Sequence, residues 1–282
     1  TKDQLNTING MSGTNFSSIL TTNIGEMENK GVEFSINAQP IRTEDFTWDM
    51  GFNYTWNTSK ITKLNTIDSE SNFVQTGAIS GTGKYVQVFM VNKRPYTFYL
   101  AKQAYDKNGK PLAGKYIQED GSVSTKETRC ATNKSALPKA YIGFNTHFVY
   151  KNWYLGMNAH GAFGAYVYNY IKADQYLQSV YSDQGSFSNI LPSTRDLGFD
   201  TQQLYTDYFL ESADFLRMDN ITLGYTFKNL WNGKNDLRLA FAVQNVFTIT
   251  GYSGISPELS TGIDRDVYPS PRTFSISANL NF

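Results

Sequence analysis

The side chains best suited to metal binding or acid–base chemistry are the two histidines, His147 and His160. Each lies on the polar side of a segment in which apolar and polar residues alternate. A two-residue turn at 151–152 would place His147 opposite Gly156 and His160 opposite Gly143, about 13 Å apart at ~3.3 Å per residue. Because metal–ligand bonds are only about 2 Å long, we predict that the two imidazoles do not share an ion.

Other sequence patterns for catalysis or metal binding are missing. The sequence contains no HExxH, CxxC, P-loop or GxSxG pattern. Its one cysteine, Cys130, cannot form an internal disulfide. The DKNG stretch at 106–109 starts like a calcium loop, but Lys110 follows where oxygen ligands should continue. We therefore predict that the chain is not an enzyme and holds no metal or cofactor.

Two groups of residues between the alternating segments are candidates for contact with other molecules. Asp264, Arg265 and Asp266 form a charge cluster, predicted to lie in a solvated loop or to contact a partner or substrate. A second group is tyrosines, which either pack against loops and an aromatic girdle or stack on the apolar faces of sugars: Tyr166, Tyr168, Tyr170, Tyr176 and Tyr181. We predict Tyr176, Tyr181 and the charge cluster as extracellular loop contacts.

The elements that position these residues are β-strands with one apolar and one polar face. Side chains alternate across a strand, and the segments at 46–57 and 273–282 follow this period closely. About nine such strands follow residue 27, with weaker patterns at 85–91 and 96–105. Residues 1–27 are rich in Thr, Asn, Ser and Gly and are predicted to be a loop segment. The polar faces supply candidate lumen-lining residues: Asn53, Asn145, His147, Asn158, His160, Arg238 and Gln244.

The connections between these strands are alternately short and long. The long ones cover about 65–84, 106–138, 173–208 and 251–267. Outer-membrane barrels have short periplasmic turns and long extracellular loops, flanked by aromatic girdles. Trp48, Trp153 and Trp231 lie close to predicted short turns, where a girdle would be placed. The alternatives are a soluble antiparallel sandwich, which shows the same alternation, and a small self-closed barrel.

Composition limits the remaining possibilities. Lys+Arg and Asp+Glu both number 25, which argues against a nucleic-acid-binding surface. Mean hydropathy is −0.42, and no apolar run reaches the ~18 residues of a transmembrane helix. No signal peptide is recognisable at the N-terminus. Either the signal was removed or the chain begins partway through a larger protein, and we expect the second.

Several stretches resemble the SusC-like TonB-dependent transporters of Bacteroidetes outer membranes. The segment 23–33 is similar to the family's N-x-G-x-x-x-N-K-G-x-E pattern, and 215–225 resembles its FLR-x-x-N-I-T-L-G-Y strand. Gln244 and Asn245, followed by 252–254 (YSG) and 257–258 (PE), look like another family segment. The segments 268–269 (YP) and 271–273 (PRT), together with Phe282, resemble the family's closing strand. The predicted barrel-assembly signal at the C-terminus consists of Phe274, Ile276, Leu280 and Phe282.

The resemblance implies a fold, a function and partners. The fold is all-β, a transmembrane antiparallel β-barrel in the outer membrane, with this chain as about the last nine of roughly 22 strands. Residues 1–27 would then be an extracellular loop segment, and 28–282 the C-terminal part of the barrel without its plug. The function implied is import of oligosaccharides or oligopeptides. The implied partners are the N-terminal remainder, a SusD-like surface lipoprotein, TonB, the substrate and outer-membrane lipid.

Overall fold

The computed structural model describes residues 4–9, 19–64, 73–79, 83–180, 187, 189–230, 235–265 and 268–282. Side chains are described from residue 25 onward, except that of Val180. In chain order the strands are β1 (Gln4–Asn9), β2 (Ile19–Arg42), β3 (Phe46–Leu64), β4 (Phe73–Ile79), β5 (Lys84–Met90), β6 (Thr97–Tyr105), β7 (Pro111–Ile117), β8 (Val123–Ser124), β9 (Arg129–Ser135), β10 (Ala140–Tyr150), β11 (Trp153–Phe163), β12 (Tyr166–Tyr168), β13 (Leu210–Ser212), β14 (Phe215–Asn229), β15 (Asn235–Thr250) and β16 (Thr273–Asn281).

The largest sheet, which we call the wall, has eight antiparallel strands in the order β1-β2-β3-β10-β11-β14-β15-β16. From β3 to β16, the strands of the wall form where apolar and polar residues alternate, which gives each of them two different faces. The predicted all-β, antiparallel fold class is confirmed. The turn at 151–152 pairs His147 with Gly156 and His160 with Gly143, as predicted from the sequence.

The described short connections of the wall lie at one end and the long ones at the other. Tyr150 is opposite both Phe46 and Trp153, and Trp153 is opposite Tyr225, so these strand ends meet. Lys151 takes a positive φ of 52° to close the tight turn. The last strand also ends here, because Asn281 pairs with a residue at the start of β15. The predicted asymmetry of connections is confirmed; residues 231–234, including Trp231, lie outside the described residues.

Three predicted segments need correction. The segment 1–27 is not all loop, because β1 pairs with β2 and β2 begins at Ile19. Backbone pairing needs no apolar face, so alternation does not reveal this polar hairpin. The segments predicted at 85–91 and 96–105 are strands β5 and β6, but they lie outside the wall, where β3 pairs directly with β10. Alternation identifies a strand but not the sheet that it joins.

Strands β4 to β9 form a second sheet within the connection from β3 to β10. It packs with the connections from β11 to β14 and from β15 to β16, and we call this assembly the loop body. Short helices at Tyr170–Ala173 and Pro192–Leu197 and 3-10 turns at Leu177–Val180 and Asp207–Phe209 belong to it. Its core contains Ile79, Val86, Phe98, Leu100, Ala136, Tyr168, Tyr170, Ala173, Phe199, Leu204, Phe209, Leu210 and Ile263.

The helices of the described chain are short. None of them is long and apolar enough to cross a membrane.

Candidate functional site

The two faces of the wall differ in chemistry. One face carries rows of apolar side chains, such as Leu155, Leu223, Phe241 and Ile276, which lie side by side across four strands. Phe241 is 45% exposed and Ile276, on the last strand of the sheet, is 83% exposed. Thr146 also lies on this face, where its hydroxyl accepts the indole N–H of Trp48 at 2.8 Å. The face is therefore apolar and has no charged side chain in these rows.

The opposite face carries a row of amides, which we call the amide belt. Pairing aligns one residue on each of six strands, with Gly51 between the first two amides: Asn37, Asn145, Asn158, Asn220 and Gln244. Nδ2 of Asn158 donates to Oδ1 of Asn220 at 3.0 Å. A row of uncharged donors and acceptors can hydrogen-bond to hydroxyl or peptide groups without selecting for charge.

Glycines make room for the amides on this face. A Cβ at Gly51 would lie 2.5 Å from Nδ2 of Asn145 and 2.8 Å from Oδ1 of Asn37, so both amides extend over this glycine. A Cβ at Gly143 would collide with the amide of Asn53, which lies over it in the same way. The predicted lumen-lining residues Asn53, Asn145 and Asn158 thus share the polar face with Asn37.

An ionic cluster lies next to the amide belt, toward the loop body. Nδ1 of His160 is 2.7 Å from a carboxylate oxygen of Asp219, and its Nε2 is 3.5 Å from Oε1 of Glu258. The guanidinium of Arg217 donates to Oε2 of Glu258 at 2.6 Å and to the hydroxyl of Thr248 at 3.1 Å. Because Glu258 belongs to the connection after β15, the cluster fastens the loop body to the polar face of the wall.

A β-bulge places Asp219 in this cluster. Asn158 pairs with Asn220 and Ala159 with Met218, so Asp219 is an extra residue on β14. On β15, Asn245 has a φ of 53° at the same irregularity, and its amide donates to the carbonyl of Pro271 at 2.8 Å. Bulges redirect side chains at the rims of barrels. Here the bulge directs a carboxylate to His160.

Near the short connections, the polar face carries an aromatic and cationic group. The guanidinium of Arg238 lies 3.8 Å from the ring centroid of Tyr154, and the ring of His147 lies 6.0 Å from it. Tyr154 lies flat over Gly224, where a Cβ would overlap its ring. The apolar face at this level carries the stacked rings of Trp48 and Phe148, 5.6 Å apart. The two faces therefore remain distinct down to the turns.

The prediction that Asp264 lies in a solvated charge cluster is wrong. Asp264 is fully buried, and its Oδ2 accepts the hydroxyl of Tyr252 at 2.5 Å. Its other oxygen has no hydrogen-bond partner within the described part of the chain. Burial raises the pKa of Asp264, and burial together with the Asp264 carboxylate raises the pKa of Tyr252. A short run of charged residues in a sequence does not show whether its loop folds back into a core and buries one of the charges.

The neighbouring Ser253 fastens the same connection to β13. Its backbone N–H donates to Glu211 at 2.9 Å, and its hydroxyl donates to the same carboxylate at 2.6 Å. Lys172 donates to the Ser253 hydroxyl at 2.5 Å. Burial alone would raise the pKa of Glu211, but the hydrogen bonds from Ser253 and the charge of Lys172 outweigh it, so the pKa is lowered. Gly254 completes this anchor, because a Cβ there would overlap Asp264.

The other predicted contact residues have varied surroundings. Tyr168 and Tyr170 are buried in the loop-body core, so they form no sugar-stacking surface. Tyr176 is half-buried, and its carbonyl accepts the hydroxyl of Ser179 at 2.5 Å. Arg265 is exposed and lines an open groove beside β4 and β5. Tyr181 and Asp266 lie outside the described residues, so their predicted contacts stay predictions.

The predicted barrel-assembly residues lie on the outer strand of the wall. Phe274 and Ile276 lie on the side of the apolar rows and are 63% and 83% exposed, and Phe282, after the end of the strand, is 98% exposed. Leu280 shares that side. Their position suits a strand that continues the apolar face, and their part in assembly stays a prediction.

The DKNG turn is stabilised by hydrogen bonds between its backbone and the side chain of Asp106. Oδ1 of Asp106 accepts the backbone N–H groups of Asn108 and Lys110, each at 2.8 Å. Within the described ranges there is no group of three or more His, Cys, Asp or Glu side chains that could hold a metal ion.

The predicted site residues did not include four residues of the polar face or a fifth from the connection after β15: Asn37, Arg217, Asp219 and Asn220, and Glu258. Asp219 and Asn220 interrupt alternation as two consecutive polar residues, which is a signal for a bulge. Arg217 lies within the FLR motif, but nothing in that motif indicates that it pairs with Glu258, 41 residues further along the chain. Long-range pairing of this kind requires the folded loop.

The antiparallel wall has an apolar face, a polar face and long connections at one end, which are the features of part of a transmembrane β-barrel. No family model matches the sequence. The chain is 38% identical, over its whole length, to TonB-dependent receptor SusC of Bacteroides thetaiotaomicron, of which it covers 29%. It is 25% identical, over 92% of its length, to TonB-dependent receptor P3 of Formosa agariphila, of which it covers 29%.

The chain belongs to the SusC-like family of TonB-dependent transporters, and it spans less than a third of these curated relatives. Among solved structures, it shares its fold with the RagAB peptide importer in the 'closed-closed' state. That match has a TM-score of 0.74 and 21% identity, over 99% of this chain and 32% of the other. The 'open-open' state gives a TM-score of 0.73 over the same share of this chain.

Proposed function

We propose that this chain forms the C-terminal wall of a TonB-dependent outer-membrane importer of oligosaccharides or oligopeptides. The observation that carries the proposal is the amide belt, which crosses six strands opposite an apolar face. A sheet with these two faces suits a barrel whose outside meets lipid and whose inside holds water and a polar substrate. In a soluble sandwich, the exposed apolar rows would lack a covering layer.

The proposed partners follow from the family and from the fold. The edge strands β1 and β16 would pair with the N-terminal remainder, which would also supply the plug and the contact with TonB. A SusD-like surface lipoprotein would cover the end that carries the loop body. The relative named SusC and the solved RagAB peptide importer support this assignment, while the choice between glycan and peptide rests on the site itself.

The experiment uses the full-length transporter produced in an outer membrane with its neighbouring lipoprotein. Asn145→Leu combined with Asn158→Leu removes two central amides, and Phe144→Leu on the apolar face is the matched control. Uptake of labelled oligosaccharides and peptides by intact cells is measured with and without TonB. We expect TonB-dependent uptake that falls several-fold in the double variant and is unchanged in the control.

Other outcomes would contradict the proposal. Uptake that does not depend on TonB would contradict the assignment as a TonB-dependent importer. A transporter that purifies in mild detergent without any lipoprotein would contradict the proposed partnership with a SusD-like lipoprotein. A 282-residue fragment that stays in solution without detergent would favour the alternative of a soluble β-sandwich that serves in binding or adhesion.

A further inference from the structure

The connection between β15 and β16 is fastened to the loop body at two points, and we call the segment 253–264 between them the strap. The backbone N–H of Ser253 donates to Glu211 at 2.9 Å, and Asp264 accepts the hydroxyl of Tyr252 at 2.5 Å. Between these points the strap borders a cavity of about 600 Å³ that separates it from strand ends of the wall. Because this space interrupts the packing, the attachment of the strap to the wall depends on individual bonds.

Glu258 supplies the bonds from the strap to the wall. Its Oε2 accepts the guanidinium of Arg217 on β14 at 2.6 Å, and its Oε1 lies 3.5 Å from Nε2 of His160 on β11. The other ring nitrogen of His160, Nδ1, is 2.7 Å from a carboxylate oxygen of Asp219. The imidazole therefore stands between two carboxylates, one on the wall and one on the strap.

Protonation changes what this imidazole does to the strap. A carboxylate only accepts hydrogen bonds, so the contact with Asp219 places the proton of a neutral ring on Nδ1. Nε2 then presents a lone pair to the anionic Oε1 of Glu258, and this contact is repulsive. An imidazolium has an N–H on both nitrogens and donates to both carboxylates. The charged ring thus binds the strap, and the neutral ring repels it.

The charges around the ring favour the imidazolium while the strap is in place. Asp219 and Glu258 contribute two negative charges and Arg217 one positive charge, so a neutral imidazole leaves one negative charge in excess. Among the described residues that line the cavity, the titratable side chains are those of Tyr141, His160 and Glu258. Phenols ionise only near about pH 10, so the balance near neutral pH depends on the imidazole.

We infer that His160 is a proton-operated latch, which fastens the strap to the wall as an imidazolium and releases it as a neutral imidazole. Imidazole side chains change their charge between about pH 5 and about pH 8. The strap is therefore held tightly on the acid side of this range and loosely on the alkaline side. The inference rests on the proposed function for the position of the strap at the mouth of the lumen, and it adds control of that mouth by pH.

The test measures deuterium exchange of the strap in the full-length transporter with its lipoprotein, in detergent, at about pH 5.5 and about pH 8. Rates are corrected for the intrinsic pH dependence of amide exchange. His160→Gln keeps a polar side chain that cannot be protonated, and His147→Gln changes the other histidine of the sequence as the matched control. Asp264 and Glu211 are the same in every variant, so differences between variants report the latch.

We expect a difference between the two histidines at the lower pH. There the strap of the unmodified protein and of His147→Gln should exchange about tenfold more slowly than that of His160→Gln, and the difference should vanish at about pH 8. Glu258→Gln removes the charge that attracts the imidazolium, so its strap should change less with pH than that of the unmodified protein. Equal exchange of β6 in all variants shows that the loop body folds.

The outcomes separate the latch from the importer. Equal exchange of the strap in the unmodified protein and His160→Gln at the lower pH would overturn the latch, and so would an equal loss of protection in His147→Gln. Uptake of labelled oligosaccharides and peptides, with and without TonB, is measured in parallel. TonB-dependent uptake without an effect of His160 overturns the latch and leaves the importer, whereas the latch without TonB-dependent uptake supports the latch and contradicts the importer.

Discussion

The wall and the loop body use apolar side chains in opposite ways. In the loop body, Phe98, Leu100 and Phe209 are almost fully buried against one another. In the wall, Phe241 and Ile276 lie in rows with large exposed fractions. The loop body is thus stabilised by its own core, whereas the wall requires an apolar medium along one face. One chain therefore contains a water-soluble type of fold attached to a membrane type of fold.

The largest expected effect is the loss of a core ring from the loop body. Phe98→Ala should destabilise the loop body by about 3–5 kcal/mol, because it leaves a cavity among residues that cannot fully collapse. Limited proteolysis of the full-length protein should then cut within the second sheet, while the wall stays intact. Proteolysis unchanged from the unmodified protein would show that the two regions do not differ in the way described.

A charge on the apolar face of the wall should have the next largest effect. Phe241→Arg should destabilise the inserted wall by about 2–4 kcal/mol, the range for cations on the lipid side of a barrel near the bilayer midplane. Ala242→Arg, one residue away on the polar face, is the matched control and should cost much less. Urea unfolding in lipid vesicles measures both variants. Equal destabilisation would contradict the assignment of the faces.

Much of the wall could be predicted from the sequence, because alternation gives both the strand and its faces. The register of β10 against β11 followed from the turn at 151–152, and it placed both histidines correctly. The loop body could not be predicted in this way. Strands β5 and β6 alternate weakly, and their partners depend on contacts far apart in the chain. The prediction of a solvated Asp264 was wrong for the same reason, since the burial of this residue depends on contacts with Tyr168 and Tyr252.

Removing the hydroxyl of Tyr252, which bonds to the buried carboxylate of Asp264, should have an intermediate effect on stability. Tyr252→Phe deprives the buried carboxylate of Asp264 of a hydrogen bond, which should cost about 1–3 kcal/mol. Tyr268→Phe, at a tyrosine that is 88% exposed, is the control. Amide hydrogen exchange within the loop body, recorded as the temperature rises, measures the stability of both variants. An effect of the control as large as that of Tyr252→Phe would contradict the buried hydrogen bond.

The smallest effect expected is a pH dependence with opposite signs at two carboxylates of the loop body. The pKa of Asp264 is raised above its usual 3.8, so its contribution to stability is full below that value and is lost as the pH rises through the folded-state pKa. The pKa of Glu211 is lowered from its usual 4.5, so its contribution is present above that value and is lost as the pH falls through the folded-state pKa.

Variants that cannot ionise separate these two contributions. Asp264→Asn should make the loop body relatively more stable toward neutral pH, and Glu211→Gln should make it relatively less stable there. Scanning fluorimetry of the full-length protein from about pH 2.5 to about pH 8 compares the two profiles. Changes of the same sign in both variants would contradict the opposite surroundings of the two groups.

The most direct test of the account compares two adjacent residues of β10. Phe144 belongs to the apolar face and Asn145 to the amide belt. Single cysteines are placed at each in the full-length transporter, with Cys130 replaced by serine, and exposed in outer membranes to a water-soluble maleimide and to a lipid-soluble one. The account predicts that Asn145→Cys reacts with the water-soluble reagent and Phe144→Cys only with the lipid-soluble one. The reverse pattern, or equal reaction of both with the water-soluble reagent, would contradict it.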